Sequence, residues 1–238
     1  MSDSLSVEWL GQISYSDALA LQHEAVADRL AGRKSDRLLL LEHPAVITLG
    51  RSSDRSNLRL GESRLRELGV ELFEVGRGGD VTYHAPGQLV GYPIIDLEAL
   101  GRRDVHAHLR RLEAGLIAAL DELDVAAHRL PGWTGVFVDR DADSDPGIRE
   151  RKLASIGVGV RRWVTFHGFA LNVTIDLAGF DSIIPCGLRD VEMTSVTLEM
   201  ARGESVSHLN PVWDSALAAR TREVVGRCMQ EHLGRSKD

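Results

Sequence analysis

One stretch constrains the fold more than any other: Arg77 to Asp96, R-G-G-D-V-T-Y-H-A-P-G-Q-L-V-G-Y-P-I-I-D. Its two glycines beside an arginine let backbone N–H groups approach a ligand closely, because no Cβ intervenes. Thr82, Tyr83 and His84 form a polar cluster ahead of Ala85-Pro86-Gly87, where proline sets φ and glycine is free to take φ > 0. The chain then leaves along an apolar, strand-like run, Leu89 to Ile95. Taken alone, this pattern reads as a tight β-hairpin, with a ligand-binding wall as the sharper alternative. It is no G-x-G-x-x-G and enters no helix, so a dinucleotide-binding βαβ unit is not expected.

Around that stretch the pattern predicts strands at 5–11, Arg37–Leu41, Ala45–Leu49 and Val70–Val75. Later strands are expected at Val125–His128, Gly135–Val138, Arg151–Val160 and Trp163–Val173, the last two joined by a basic turn at Arg161-Arg162. Helices are expected at Ser16–Leu30, Glu62–Leu68 and after an Asp104 N-cap, where Val105, Leu109, Leu112, Leu116 and Leu120 share a face. A last helix is expected from Pro211 to Leu233, capped by Asn210. Residues 139–147, D-R-D-A-D-S-D-P-G, read as an acidic surface loop that lacks the length and the late Glu of a calcium loop. Without repeats or linkers, residues 1–238 read as one α+β (mixed α/β) domain around a mixed, largely antiparallel sheet.

Charge and cysteine usage narrow the function. A formal net charge of −7 argues against bulk capture of nucleic acid or an anionic membrane surface. No segment reaches the roughly 18 consecutive apolar residues of a membrane span, and the first residues do not resemble a signal peptide. The two cysteines, Cys186 and Cys228, suit a reducing compartment, so a cytoplasmic protein is expected. No Cys-x-x-Cys or His-x-x-x-His spacing points to a metal, and no cofactor is implied.

Cys228 falls on the apolar face of the last helix and reads as a small hydrophobe. Cys186, between Pro185 and Gly187 in a non-periodic loop, is a candidate nucleophile if a neighbour holds it as thiolate, or else a loop cysteine of no consequence. Lys152 opens the apolar run K-L-A-S-I-G-V-G-V, where a lysine led into a buried site can exchange a proton with a thiol. The bland reading is a lysine that guards a strand edge. His43, His84 and His167 each precede a loop-forming residue and fit either ligand orientation or structural hydrogen bonding.

Taken together, the blocks R-G-G-D-V-T-Y-H-A-P-G-Q, L-L-L-L-E-H-P-A-V-I-T-L-G-R, R-K-L-A-S-I-G-V-G-V, H-G-F-A-L-N and I-I-P-C-G-L resemble the lipoyl(octanoyl) transferase family. The resemblance implies the fold shared with biotin and lipoate ligases. It also implies transfer of an octanoyl group from octanoyl-acyl carrier protein to a lysine of apo lipoyl domains, those of 2-oxoacid dehydrogenases and of the glycine cleavage H protein. By the same resemblance, Cys186 would carry the acyl group as a thioester, with Lys152 as its proton partner. Arg77, Gly78, Gly79, Asp80, Val81, Thr82, Tyr83 and His84 would line the acyl site, along with Ser155, Ile156, Gly157, Gly168, Phe169 and Ala170. Ser155 stands where the family usually has Ala. The basic run Arg149, Arg151, Lys152, Arg161 and Arg162 is read as a docking edge for acidic partners, or as a solvated edge. The rivals are an ATP-dependent ligase of the same fold, a non-catalytic acyl- or lipoyl-domain-binding module, and a thioesterase.

Overall fold

Four consecutive leucines, Leu38 to Leu41, determine the layering. A strand turns successive side chains to opposite faces, so one that is apolar at every position must be covered on both. Strand β2 (Arg37–Glu42) sends Leu38 and Leu40 into a core with Leu112, Leu116 and Leu120 of helix α3 (Val105–Asp121) and Val225 and Met229 of helix α5 (Ser215–Leu233). Leu39 and Leu41 face the other way, onto Ala18 of helix α1 (Tyr15–Leu30). The computed structural model describes residues 5–140, 147, 150–187, 190–201 and 215–234, without the Cys186 side chain. The expected Asn210-Pro211 cap, Arg149 and most of the 139–147 loop lie outside them.

β2 belongs to a seven-stranded mixed sheet. Its order is β1 (Ser6–Gln12), β2, β6 (Gln88–Ile94), β9 (Val164–Asn172), β8 (Glu150–Arg161) and β10 (Val191–Met193), with β7 (Val136–Asp139) also paired to β8. The β1–β2 and β8–β10 pairs are parallel and the others antiparallel. A second sheet of three strands runs β4 (Glu71–Glu74), β3 (Val46–Leu49), β5 (Val81–His84), with β3–β4 parallel and β3–β5 antiparallel. Two short helices, α2 (Glu62–Glu67) and α4 (Val196–Ala201), complete the regular elements. No described helix is long and apolar enough to cross a membrane.

Three local expectations are corrected. Ala85-Pro86-Gly87 does not close a hairpin: β5 pairs with β3 in the small sheet, while β6 pairs with β2 and β9 in the large one. The turn is a corner between sheets. Gly87, at φ +88°, must be glycine there, because a Cβ would lie 2.6 Å from the Ile175 nitrogen. Val125–His128 forms no strand either; of these four residues His128 alone makes an isolated bridge, to Phe137. The end of α3 takes up the intervening chain. The Val125 N–H reaches back to the Leu120 carbonyl at 2.9 Å, past Asp124 at φ 59°, a Schellman-type closure. The β8–β9 turn, expected at Arg161-Arg162, falls one residue later, at Arg162-Trp163. Arg162 and Trp163 both take positive φ, 50° and 66°, as a two-residue type I′ turn requires.

Candidate functional site

A narrow cavity of about 50 Å3 takes walls from both sheets. Strand alternation decides which side chains reach it. On β5, Thr82 and His84 line the cavity, whereas Val81 and Tyr83 pack into the small-sheet core with Ile47, Leu49 and Phe180. On β6, Val90 and Tyr92 face inward. β8 and β9 border the cavity at Ser155 to Gly157 and His167 to Ala170; of these, Ile156 and Phe169 turn their side chains to the opposite face, into the core with α3 and α5. Tyr15, at the start of α1, closes one side.

The Arg77–Asp80 loop forms the remaining wall, and its backbone is pinned at each residue. The carbonyls of Arg77, Gly79 and Asp80 accept from the N–H groups of Arg51 (3.0 Å), Ser52 (3.2 Å) and Gly50 (3.2 Å), and the Gly78 N–H donates to the Val158 carbonyl at 2.8 Å. The approach to β8 needs glycine at 157, because a Cβ would stand 2.7 Å from the Gly78 carbonyl oxygen. The buried Arg77 guanidinium donates to both the carbonyl and the hydroxyl of Thr48, each at 2.8 Å. The Asp80 carboxylate accepts from Asn57 Nδ2 at 2.5 Å and from the Asp54 N–H at 3.1 Å. Gly78 itself stands behind the wall; Arg77, Gly79 and Asp80 line it.

The floor is aromatic and uncharged. His43 bridges the Ile13 carbonyl and the Tyr92 hydroxyl, at 2.8 Å each, and packs against Tyr15 and His84. Burial pushes the His43 pKa down to about 4. His84 is pushed to about 3 by burial first and then by the field of His43. His167 is pushed to about 3 by burial and then by Arg77. Burial raises Tyr15 to about 12. His167 has φ 55°, a left-handed conformation that a non-glycine residue adopts at some cost, and its N–H donates to Gln22 of α1 at 2.7 Å. Its Nε2 and the Thr82 hydroxyl are buried and find no hydrogen-bond partner among the described residues.

Lys152 is not an edge lysine. Its strand segment lies between β7 and β10, and only 2% of the residue is exposed. The ammonium stands 5.4 Å from the Phe137 ring centroid, and Gly135 makes room for the stem, since a Cβ there would sit 2.8 Å from Lys152 Cε. The 183–187 segment is held near the cavity wall. Ile183 bridges Leu58, the Ile184 N–H donates to the Asn57 carbonyl at 2.8 Å, and Gly187 stands beside the Asp80 carboxylate. Cys186 occupies a 3₁₀ turn, Pro185–Gly187, with its side chain outside the described residues. A few residues later β10 begins, and Met193 pairs with Lys152. Cys228 is buried against α3, and burial raises its thiol to about 11.

Of the expected docking residues, Arg151 is committed inside the molecule, paired with Glu199 at 2.6 Å, and Lys152 is buried. Arg161 and Arg162 are exposed. Outside the cavity lining, His128, Asp139 and Glu150 bring ligand-type atoms within 4.8 Å of one another, the His128 nitrogens standing 3.8 Å from the Asp139 carboxylate and 3.4 Å from that of Glu150. The sequence reading of the cavity missed Tyr15, Val90 and Tyr92. The alternation that selects Val90 and Tyr92 was legible once β6 was recognised; Tyr15 enters only through the docking of α1.

The profile of the lipoyl protein ligase A/B catalytic domain matches residues 14–216. The chain is 51% identical over 179 residues to an octanoyltransferase of Solibacter usitatus, covering 75% of this chain and 76% of that protein. It is 44% identical over 200 residues to an octanoyltransferase of Myxococcus xanthus, covering 84% of this chain but only 55% of the relative's length. Among solved structures, lipoate-protein ligase A bound with ATP superposes with a TM-score of 0.68 at 16% identity, over 99% of this chain and 88% of that one. The bipartite lipoate protein ligase of Thermoplasma acidophilum gives 0.65 at 16% identity, over 99% and 86%. The fold is therefore a shared one, and the chain belongs to the lipoyl protein ligase A/B catalytic-domain family.

Proposed function

We propose that the protein is an octanoyltransferase. It takes an octanoyl group from octanoyl-acyl carrier protein as a thioester on Cys186 and passes it to a lysine of a lipoyl domain. The octanoyltransferases to which the chain is similar support the reaction class. The observation that carries the assignment of roles is the buried Lys152, tied through Met193 to the strand that follows the Cys186 turn. In the first half-reaction the Cys186 thiolate attacks the donor carbonyl, and the pantetheine thiolate leaves with a proton from Lys152. One thioester replaces another, so this exchange is nearly neutral in free energy. In the second half the acceptor amine attacks the Cys186 thioester, Lys152 takes its proton, and amide formation drives the step. The octanoyl chain is placed against Val90 and Ala170, where the cavity has to widen to take it, and the sequence balances without ATP. The acceptors are the lipoyl domains of 2-oxoacid dehydrogenases and the glycine cleavage H protein, in the cytoplasm.

Intact-mass measurement after mixing with octanoyl-carrier, in the absence of ATP, tests the reading. One octanoyl mass should appear on the wild-type chain and none on Cys186→Ala. Transfer that requires ATP, or that survives Cys186→Ala, would make the protein a ligase instead.

A further inference from the structure

We infer that a buried amide relay, Thr194–Asn172–Gln88, holds His84 in a single ring tautomer, with the proton on Nδ1 and the lone pair on Nε2, so that His84 meets the substrate as a hydrogen-bond acceptor. What His84 meets rests on the acyl-transfer reading; the tautomer does not. The Thr194 backbone carbonyl can only accept, so the group 2.9 Å from it must be the Asn172 amide nitrogen. That turns Asn172 Oδ1 toward Gln88, whose nitrogen lies 2.8 Å from it and 3.3 Å from the Tyr83 carbonyl. Two acceptors fix the NH2 end of Gln88 there, which leaves its oxygen 2.7 Å from His84 Nδ1. Nδ1 must therefore donate. A neutral imidazole has one N–H, so Nε2 carries the lone pair.

Gln88, Asn172 and Thr194 are each 1% exposed and His84 6%, so water does not compete for these groups. His43, His167, Arg77 and Tyr15 face the ring, and burial together with the positive field of Arg77 keeps it neutral. The same reasoning applies independently to His43, where the Ile13 carbonyl demands Nδ1–H and the Tyr92 hydroxyl then donates to Nε2. Two consequences follow for the site. His84 donates nothing to a developing oxyanion, which leaves that role to backbone N–H groups. Its lone pair instead orients a substrate N–H, either the incoming lysine amine or an amide of the carrier's pantetheine arm. Gln88 and Asn172 are positioning residues that act through it.

Long-range 1H–15N NMR on 15N-histidine-labelled full chain reads the tautomer directly, with the His84 signals assigned by their loss in His84→Gln. Wild type should show a pyrrole-type Nδ1 and a pyridine-type Nε2, unchanged between pH 7.5 and 5.5. Asn172→Leu, which does not touch His84, should free the Gln88 amide to turn. It should convert the signals to a tautomer mixture and lower kcat/KM for octanoyl transfer about tenfold. An Nε2–H ring in wild type would overturn the inference, and so would an unaltered tautomer in folded Asn172→Leu. If that variant does not fold, the wild-type spectrum decides alone. Failure of wild type to form the Cys186 thioester would sink the proposed function and leave the tautomer result standing.

Discussion

Thr194 donates its backbone N–H to the Lys152 carbonyl at 3.0 Å, while its own carbonyl accepts from Asn172 at 2.9 Å. One residue therefore ties the lysine strand to the amide relay beneath the cavity. The Thr194 side chain is committed too, donating to Glu199, whose carboxylate pairs with the buried Arg151. The Lys152 backbone is thus fixed from β10 and its neighbours, and its side chain from Gly135 and Phe137.

Lys152→Ala should leave a folded chain and lower the rate of Cys186 acylation by about 10²–10⁴-fold, the usual share of a positioned acid–base group. The pH profile of Cys186 alkylation should move upward at the same time. Lys152→Arg should not restore activity, because a guanidinium stays protonated and cannot take up the amine's proton. Single-turnover acylation followed by mass spectrometry measures the rate. An alkylation profile identical to wild type would remove Lys152 from the chemistry.

Stability should fall steeply on mild acidification. Burial depresses His43 and His108 to about 4 and His84 and His167 to about 3. The unfolded chain, near the ordinary value of about 6.5, binds more protons throughout the intervening window. Stability from these groups is complete above pH 6.5 and is lost as the pH falls toward 4, with a limiting slope of about 5 kcal/mol per pH unit if all four act together. Urea midpoints between pH 7.5 and 5 give the slope. His108→Gln, which lies outside the cavity, should reduce it by roughly a quarter; an unchanged slope would show that burial of His108 does not contribute.

Arg161→Glu/Arg162→Glu should raise KM for a carrier-bound octanoyl donor and leave a free octanoyl thioester unaffected, because these two exposed arginines sit on the β8–β9 turn, away from the cavity. Steady-state comparison of the two donors decides. An equal loss with both would mean that the turn supports the fold and does not dock a partner. Arg151→Ala is the wrong probe, since it breaks a buried ion pair.

Local chemistry was legible in the chain and long-range pairing was not. Leu38–Leu41 announced a strand covered on both faces, and Asp104 announced the start of α3, whose Ala107 N–H it accepts. Pro86-Gly87 announced a turn, but whether a turn closes a hairpin or changes sheets depends on partners at 46–49 and 164–172 that no local pattern encodes. The same holds for Gln88 and Asn172. Each reads as an ordinary polar position at the end of a strand, and only the β6–β9 register, which sets Gln88 opposite Asn172, joins them. β10 is three residues long, too short for periodicity to announce, and exists because β8 offers it an edge.

The sheet order also governs how the chain is made. β6 lies between β2 and β9, so the cavity, whose walls run from Tyr15 to Ala170, cannot close until β9 has emerged from the ribosome. At translation speeds of about 5–20 residues per second, the interval is on the order of ten seconds. For that time β6 is a buried-type strand with its later neighbour β9 missing, the kind of unfinished edge that pairs with the wrong chain. Recovery of native protein on synthesis should therefore depend on how well that one segment is shielded before the second half of the chain arrives.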